Sequence, residues 1–298
     1  MTTMTVAPEA IQPRISAWER LRELAGRWQT IRYLTTSALK AGHRDKVLGH
    51  LWNILDPMMF MLVYYFVFGV LFGLAGGGRS TTFMLYILLG VLTFNFFSAT
   101  SNQATVCIRG NRGLIHEINF PKGVFPISVT LARFYDFVWG LVVFFVFMVV
   151  GGIWPTAQYA WLPLLLLLLL MLTMGTAFLV AYLGAFFADM ANIVNVIMRL
   201  LFYISPVFYF IRDITVNERH NGVMKAVHYR AMFHNELGRF IYMLNPFSCL
   251  LECFRDSMLW GRKPDPILLG YSAVASVLIC IAGFLLFIRG EGKFAKYI

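Results

Sequence analysis

The sequence predicts an all-α, polytopic membrane protein with six transmembrane helices. Of its 298 residues, 59% are hydrophobic and only 13% are charged, whereas charged residues make up about a quarter of a soluble domain. The mean hydropathy is +0.68, and several apolar runs reach the length of about 18 residues that a helix needs to cross a bilayer. To these spans we add an N-terminal amphipathic interface helix and two short periplasmic helices before the last span.

Residues 1–54 form a cytoplasmic N-terminal segment, which lacks the apolar core expected of a cleavable signal peptide. From Ile15 onward, arginines fall largely between apolar side chains that recur every three or four positions, at Trp18, Leu21, Ala25, Trp28, Ile31 and Leu34. A basic helix with tryptophans on its apolar face is typical of the membrane interface. A soluble helix that packs on a partner is the alternative.

Residues 55–298 form one transmembrane domain. The apolar runs place its spans at residues 55–74, 83–106, 124–150, 161–187, 193–211 and 267–288. An even number of spans puts both termini on one side of the membrane. Lysines and arginines concentrate at the span ends on that side, so the positive-inside rule makes both termini cytoplasmic. The long loop at residues 212–266 carries eight basic residues and goes against the rule, which weakens for long loops.

A polar island at residues 108–122 connects the second and third spans. Its basic side chains favour the cytoplasm, and Leu114, Ile115 and Ile118 have the spacing of one apolar stripe on a short helix. A short helix that projects from the membrane is a surface for a soluble partner. The alternative is an ordinary amphipathic loop on anionic lipid.

Residues 212–266 form the second segment of interest, on the opposite face of the membrane. Residues 240–260 are nearly apolar enough for a seventh span, but Glu252, Arg255 and Asp256 argue against one, as does the Asn245-Pro246 pair. We therefore expect two short amphipathic helices that break at this pair. They would dip into the outer leaflet or cover the mouth of a pathway.

The sequence shows no motif of an active site. It has no phosphate-binding glycine loop, no nucleophile elbow and no spacing of histidines that would bind a metal. Nucleic acid is a poor partner, because no basic stripe is interleaved with exposed aromatics. The four cysteines are interpreted as packing residues. Arg133 and Asp136 in the third span are three residues apart, and we predict that they form a structural ion pair.

Aromatic residues make up 16% of the chain, which is its most unusual compositional feature. Lipid-facing packing and interfacial belts account for most of them. The functional alternative is a tunnel lining, because the apolar faces of sugar rings stack on aromatic rings. The candidates lie in the first, second and fifth spans, at Tyr64, Tyr65, Phe68, Phe94, Phe97, Phe202, Tyr203 and Tyr209.

Three stretches carry a family resemblance: VLGHLWNILDP at positions 47–57, GLIHEINFPK at positions 113–122 and LNPFSCLLECFRD at positions 244–256. They resemble the membrane subunit of bacterial polysaccharide ABC exporters, the type-2 permease family that exports O-antigens, teichoic acids and capsular polymers. Their order and spacing on six spans cover the chain from about residue 30 to its end. His50 and Asp56 stand where more neutral residues are expected, so the first stretch departs from the family pattern.

The resemblance implies a homodimeric permease in the bacterial cytoplasmic (inner) membrane that exports a lipid-linked polysaccharide of the O-antigen or teichoic-acid type. This chain would bind no cofactor, since two copies of a separate ATPase would bind ATP and magnesium. By this analogy the island is the coupling helix, with Arg109, Arg112, Leu114, Ile115, His116, Glu117 and Ile118. The periplasmic gate would then contain Asn245, Pro246, Glu252, Arg255 and Asp256.

Two other functions remain open from the sequence. One is export of a drug or a small lipid by a permease of the same superfamily. The other is catalysis by an integral-membrane glycosyl or acyl transferase, which would require carboxylates or histidines clustered at one membrane face. No such cluster is visible in the sequence.

Overall fold

The structure is a computed structural model that describes residues 17–43, single positions between 52 and 63, and residues 65–71, 81–117, 120–220, 223–229 and 242–294. Two helices begin it, α1 (Ala17–Gly26) and α2 (Trp28–His43). The single interface helix expected here is therefore interrupted at Arg27. Leu24 and Ile31 are buried against the rest of the protein, whereas the tryptophans of α1 and α2 are exposed.

Within the described residues, four helices are long and apolar enough to cross a membrane. They are α3 (Thr81–Gly110), α5 (Val124–Val150), α6 (Leu162–Phe186, preceded by the 3-10 turn Ala157–Trp161) and α9 (Pro266–Glu291). The short helix α4 (Arg112–Glu117) connects α3 to α5. A fifth apolar helix, α7 (Met190–Ile204), has 15 residues and ends before the predicted limit of its span. The predicted first span lies largely outside the described residues, which include only the π-helical Tyr65–Leu71 as a continuous piece.

The central helix of the bundle is α3, which packs against α5, α6 and α7. Of its most apolar 18-residue window, 78% is buried, compared with 22% for α9. Helix α9 packs along α6, and the two backbones approach closely where glycines meet. A Cβ on Gly283 would lie only 2.2 Å from the carbonyl oxygen of Gly175. Small residues are the usual means of such close packing between membrane helices.

Buried side chains form two clusters at opposite ends of α3. The first core cluster surrounds its N-terminal half and includes residues of α5, α6, α7 and the segment after α7. The second core cluster surrounds its C-terminal end and includes Leu24 of α1, Ile31 of α2, Ile115 of α4 and Phe287 of α9. The second cluster therefore joins both N-terminal helices and α4 to the transmembrane helices.

The segment at residues 212–266 differs from its prediction. It begins with an antiparallel β-hairpin, β1 (Ile214–His220) and β2 (Val223–Tyr229), in which Ile214 pairs with Tyr229. The sequence pattern gave no indication of this hairpin within an all-α fold. The helix α8 (Pro246–Met258) follows after a stretch outside the described residues. Because every side chain from Phe247 to Met258 is buried, α8 packs inside the protein and not against the outer leaflet.

Candidate functional site

A cavity of about 460 Å³ lies between α3 and α7. Its wall combines aromatic rings with amides, a hydroxyl and an arginine, and is formed by Val91, Phe94, Asn95, Ser98, Asn102, Asn195, Met198, Arg199, Phe202 and Tyr203. This mixture of apolar area with a few polar groups is typical of a site for a small molecule or for one segment of a longer one.

The polar side chains of the cavity come from regular helix spacing. Asn95, Ser98 and Asn102 are three and four positions apart, so they share one face of α3. Asn102 Nδ2 donates to the carbonyl oxygen of Ser98 at 3.0 Å. Polar side chains inside a membrane helix are expensive unless they face the protein or a water-filled pathway. The stripe therefore marks the polar side of this cavity.

Three of the predicted tunnel-lining aromatics line the cavity. Phe94 on α3 is buried and meets Phe202 on α7 edge to face, with ring centroids 5.1 Å apart. Tyr203 also lines the cavity and is 63% exposed. The cavity wall thus combines an exposed tyrosine with a buried phenylalanine, Phe94, and a half-buried one, Phe202.

Two other predicted lining residues pack elsewhere. Phe97 is buried and lies against Phe247 of α8, with ring centroids 5.3 Å apart. Tyr209 is buried after the end of α7, and its hydroxyl donates to the carbonyl oxygen of Ile204 at 2.7 Å. These two rings connect structural elements and do not line the cavity. The side chains of Tyr64, Tyr65 and Phe68 lie outside the described residues.

The predicted gate residues of α8 start the helix and carry its charges. Asn245 is the N-cap of α8, because its side-chain oxygen accepts a hydrogen bond from the backbone N–H of Phe247 at 3.0 Å. Pro246 occupies the first turn, where a missing N–H costs nothing. The same Asn245 donates from Nδ2 to Ser205 Oγ at 3.1 Å, which ties the start of α8 to the end of α7.

A buried arginine organises the middle of α8. Arg255 has an exposed side-chain fraction of 0%, and its Nη1 donates to Glu252 Oε1 at 2.8 Å and to the Tyr86 hydroxyl at 2.7 Å. The same guanidinium donates to the carbonyl oxygens of Pro206 and Val207. Since a buried charge is tolerated only when it is paired and hydrogen-bonded, this network is what lets Arg255 occupy the core.

A second arginine completes the network from outside α8. Arg212 Nη2 lies 2.5 Å from Asp256 Oδ1, and its Nε lies 3.7 Å from Glu252 Oε2. Burial raises the pKa of the Asp256 carboxyl, and the hydrogen bond from Arg212 offsets part of that shift. The two arginines and two carboxylates are together neutral, so the network joins α8, α3 and the segment after α7 without a net buried charge.

The predicted coupling residues fall into an exposed and a buried group. Arg112 and Leu114 of α4 are exposed, whereas Ile115 is buried in the second core cluster. Arg109 at the end of α3 donates to the carbonyl oxygen of Ala185 at 3.4 Å. The backbones of His116 and Glu117 belong to α4, but their side chains and the whole of Ile118 lie outside the described residues.

An ion pair at the end of α9 joins three segments near α4. Glu291 is buried at the C-terminus of α9, where the helix dipole disfavours a negative charge. It accepts a hydrogen bond from the backbone N–H of Lys122, and its Oε2 lies 3.2 Å from Nε of Arg20 on α1. The hydrogen bond and the ion pair stabilise the carboxylate and link α1 to the connection between α4 and α5.

Arg133 and Asp136, which were predicted to form an ion pair, both lie in α5. Arg133 Nη1 lies 3.5 Å from Asp136 Oδ2, and its Nε donates to Gln103 Oε1 of α3 at 2.8 Å. The pair therefore also connects α5 to α3. Among the described residues no group of three or more histidine, cysteine, aspartate or glutamate side chains is placed to bind a metal ion.

Several residues of these sites were not predicted from the sequence. They are Asn95, Ser98, Asn102, Asn195 and Arg199 of the cavity, Tyr86 and Arg212 of the α8 network, and Arg20 and Glu291. The cavity residues could be found from the sequence, because polar side chains at helical spacing interrupt apolar runs. Tyr86 could not be found in this way, since it lies 169 residues from its partner Arg255 in the sequence.

Comparison with known proteins places the chain in a transporter family. A family model described as "ABC-2 type transporter" matches residues 29–218. An O-antigen export system permease protein RfbA of Myxococcus xanthus is 28% identical over 265 residues, covering 89% of this chain and 94% of the relative. A Klebsiella pneumoniae protein of the same name is 23% identical over 264 residues, covering 88% and 90%. The polysialic acid transport protein KpsM of Escherichia coli is 24% identical over 247 residues, covering 80% and 85%.

Proposed function

The chain belongs to the ABC-2 type transporter family, and we propose that it is the permease subunit of an ATP-driven exporter that moves a lipid-linked polysaccharide across a bacterial cytoplasmic membrane. Family membership confirms the resemblance that the three sequence motifs indicate. The chain is thus a transport subunit and not an enzyme, which excludes the membrane-bound transferase.

The cavity between α3 and α7 is the observation that carries the proposal. It combines Phe94, Phe202 and Tyr203 with a stripe of amide and hydroxyl groups. Stacking against aromatic rings accommodates the apolar faces of sugars, and the amides accept and donate hydrogen bonds to their hydroxyls. A drug or a small lipid carries fewer hydroxyl groups than a sugar polymer, so fewer of the asparagine amides would find a hydrogen-bonding partner on it. The names of the relatives, which refer to O-antigen export and polysialic acid transport, also favour a polysaccharide.

A second copy of the chain would close this cavity into a conduit. Besides Asn195 and Arg199, α7 exposes the apolar side chains of Ile193, Val196 and Leu200. Asn195 and Arg199 would be costly in contact with lipid, and a facing copy removes them from it. A homodimer with its pathway at the α7 face therefore satisfies both the polar and the apolar side chains.

The energy for export would come from two copies of a separate ATPase subunit that bind ATP and magnesium. Helix α4 is the proposed contact, with Arg112 and Leu114 exposed and Ile115 buried beneath them. The second core cluster and the Arg20–Glu291 pair join α4 to α1 and α9. Helix α8 would close the periplasmic mouth, anchored by its charge network.

Surface export in a bacterium that lacks its own copy of the gene tests the proposal. The triple variant Asn95→Leu, Ser98→Leu and Asn102→Leu replaces the polar stripe with apolar side chains. We expect loss of surface polymer while the permease still reaches the membrane and co-purifies with its ATPase. Val146→Leu, on the exposed face of α5, is the control and should export normally. Normal export by the triple variant at equal protein levels would contradict the proposed pathway.

A further inference from the structure

Arg199 is a cation in the apolar helix α7 and lines the cavity. Its side chain is exposed, and its Nε donates to Asn195 Oδ1 at 3.0 Å. At 1.5 Å per residue, Arg199 lies roughly 14 Å from the start of α7 and roughly 8 Å from its end at Ile204. A charged side chain within an apolar membrane helix is costly in contact with lipid, and it usually has a partner or faces a water-filled pathway.

Four other arginines of this protein form ion pairs that have a structural role. Arg20, Arg133, Arg212 and Arg255 each lie within 4.0 Å of a carboxylate. Among the described residues, Arg199 bonds only to the amide of Asn195, and none of the ion pairs includes it. Each of the four structural arginines contacts a second segment of the chain, whereas Arg199 bonds to its own helix one turn away and lines an open cavity.

The amide of Asn195 also orients the guanidinium. With Nε engaged, the two terminal nitrogens of Arg199 keep their four N–H donors. Such a planar fork matches the two oxygens of a carboxylate or a phosphate. Asn195 supplies an additional N–H donor from its side-chain amide, because its oxygen is the acceptor from Arg199.

We propose that Arg199 and Asn195 form an anion-binding subsite of the cavity, which takes a negatively charged group of the transported substrate, a carboxylate or a phosphate. The inference rests on the proposed export function, and it adds that the permease selects for charge on its cargo. The anion belongs either to the sugars of the polymer or to the pyrophosphate of its lipid carrier. A polar, water-accessible cavity keeps the contact weak, as a conduit requires.

Binding to the full-length permease in lipid nanodiscs tests the subsite. The probes are oligogalacturonate, which carries carboxylates, neutral maltohexaose, and undecaprenyl pyrophosphate without sugar. The variants are Arg199→Gln, which removes the charge at similar size, and Arg199→Lys, which retains it. Arg22→Gln, at an exposed arginine of α1, is the control, and size-exclusion profiles verify that each variant is intact.

For Arg199→Gln we expect about tenfold weaker binding of the charged sugar or of the carrier, since charge-assisted hydrogen bonds are lost. Arg199→Lys should restore most of the affinity, and the control should bind as the wild type does. Neutral maltohexaose should bind equally to the wild-type protein and to all three variants. The charged probe whose affinity falls in Arg199→Gln identifies the source of the anion. High salt should weaken the binding of that probe to the wild-type protein.

Equal binding of both charged probes to wild type and Arg199→Gln would overturn the subsite. In that case the conduit would still stand if maltohexaose binding falls when Tyr203 is replaced by alanine. If the wild-type protein binds none of the three probes, the conduit and the subsite both fail.

Discussion

The guanidinium of Arg255 lies over the ring of Tyr86, with Cζ 3.4 Å from the ring centroid, while Nη1 donates to the hydroxyl of the same tyrosine. One side chain of α8 thus bonds to both the face and the edge of a residue on α3. Gly90 makes room for it, because a Cβ there would lie 2.9 Å from Arg255 Nη2 and 2.7 Å from the carbonyl oxygen of Val207. Helix α8 is therefore fastened to the central helix of the bundle.

Removing one partner of this network should be severely destabilising. In Arg255→Met the buried carboxylate of Glu252 loses its near partner and keeps only the more distant Arg212. Breaking a buried ion pair in this way lowers the free energy of unfolding by about 3–5 kcal/mol. The double variant Arg255→Met with Glu252→Met should recover part of that loss, because no unpaired charge remains. Thermal unfolding of the purified protein measures both.

Arg22→Met, at an exposed arginine of α1 outside the transmembrane helices, provides the control for this experiment. Loss of an exposed charge should change the stability by about 1 kcal/mol or less. If Arg255→Met unfolds at the same temperature as Arg22→Met, the α8 network does not stabilise the subunit.

The two neighbouring apolar residues of α4 should respond differently to a charge. Leu114→Asp places a carboxylate on an exposed position, so the ATPase should dissociate while the melting temperature stays near that of the wild type. Ile115→Asp places it in the second core cluster and should lower the melting temperature itself. Co-purification of the ATPase and thermal unfolding are measured on both. Full retention of the ATPase by Leu114→Asp would favour the lipid-surface alternative for this loop.

The cysteines of α8 should be inert in the folded protein. Burial raises the pKa of the Cys249 thiol to about 12, and the charges of Glu252 and Asp265 add to the shift. Burial likewise raises the pKa of Cys253. Because the thiolate is the reactive form, the folded thiols should remain unmodified as the pH rises through about 8.5, where an unfolded cysteine ionises.

N-ethylmaleimide labelling followed by mass spectrometry measures this reactivity between pH 7 and 9. Lys263→Cys, at an exposed position after α8, is the positive control and should react across that range. Labelling of Cys249 at the rate of this control, with the protein still folded, would show that α8 is not packed as described.

The transmembrane helices were the most predictable part of the fold. Residues 124–150 form a run with few charges, and lipid allows such a run little other than a helix, so α5 has the predicted limits. The charges of α8 are visible in the sequence, but their partners Tyr86 and Arg212 are distant from them in it. Tertiary contacts of this kind leave no local pattern. Arg199 is a different case, since an arginine within an apolar run is visible in the sequence and signals a function.

The contrast between Tyr203 and Phe97 tests the pathway most directly. Both were predicted to line a tunnel, yet Tyr203 is 63% exposed at the cavity, whereas Phe97 is 6% exposed and packs on Phe247. Tyr203→Ala should slow export with little change in stability, because a single stacking contact contributes about 1 kcal/mol. Phe97→Ala should cost about 3–5 kcal/mol as a large-to-small change in the core. Surface polymer, permease yield and melting temperature are measured on both variants. A role for Tyr203 in lipid contact alone predicts normal export from Tyr203→Ala, and that result would remove this ring from the conduit.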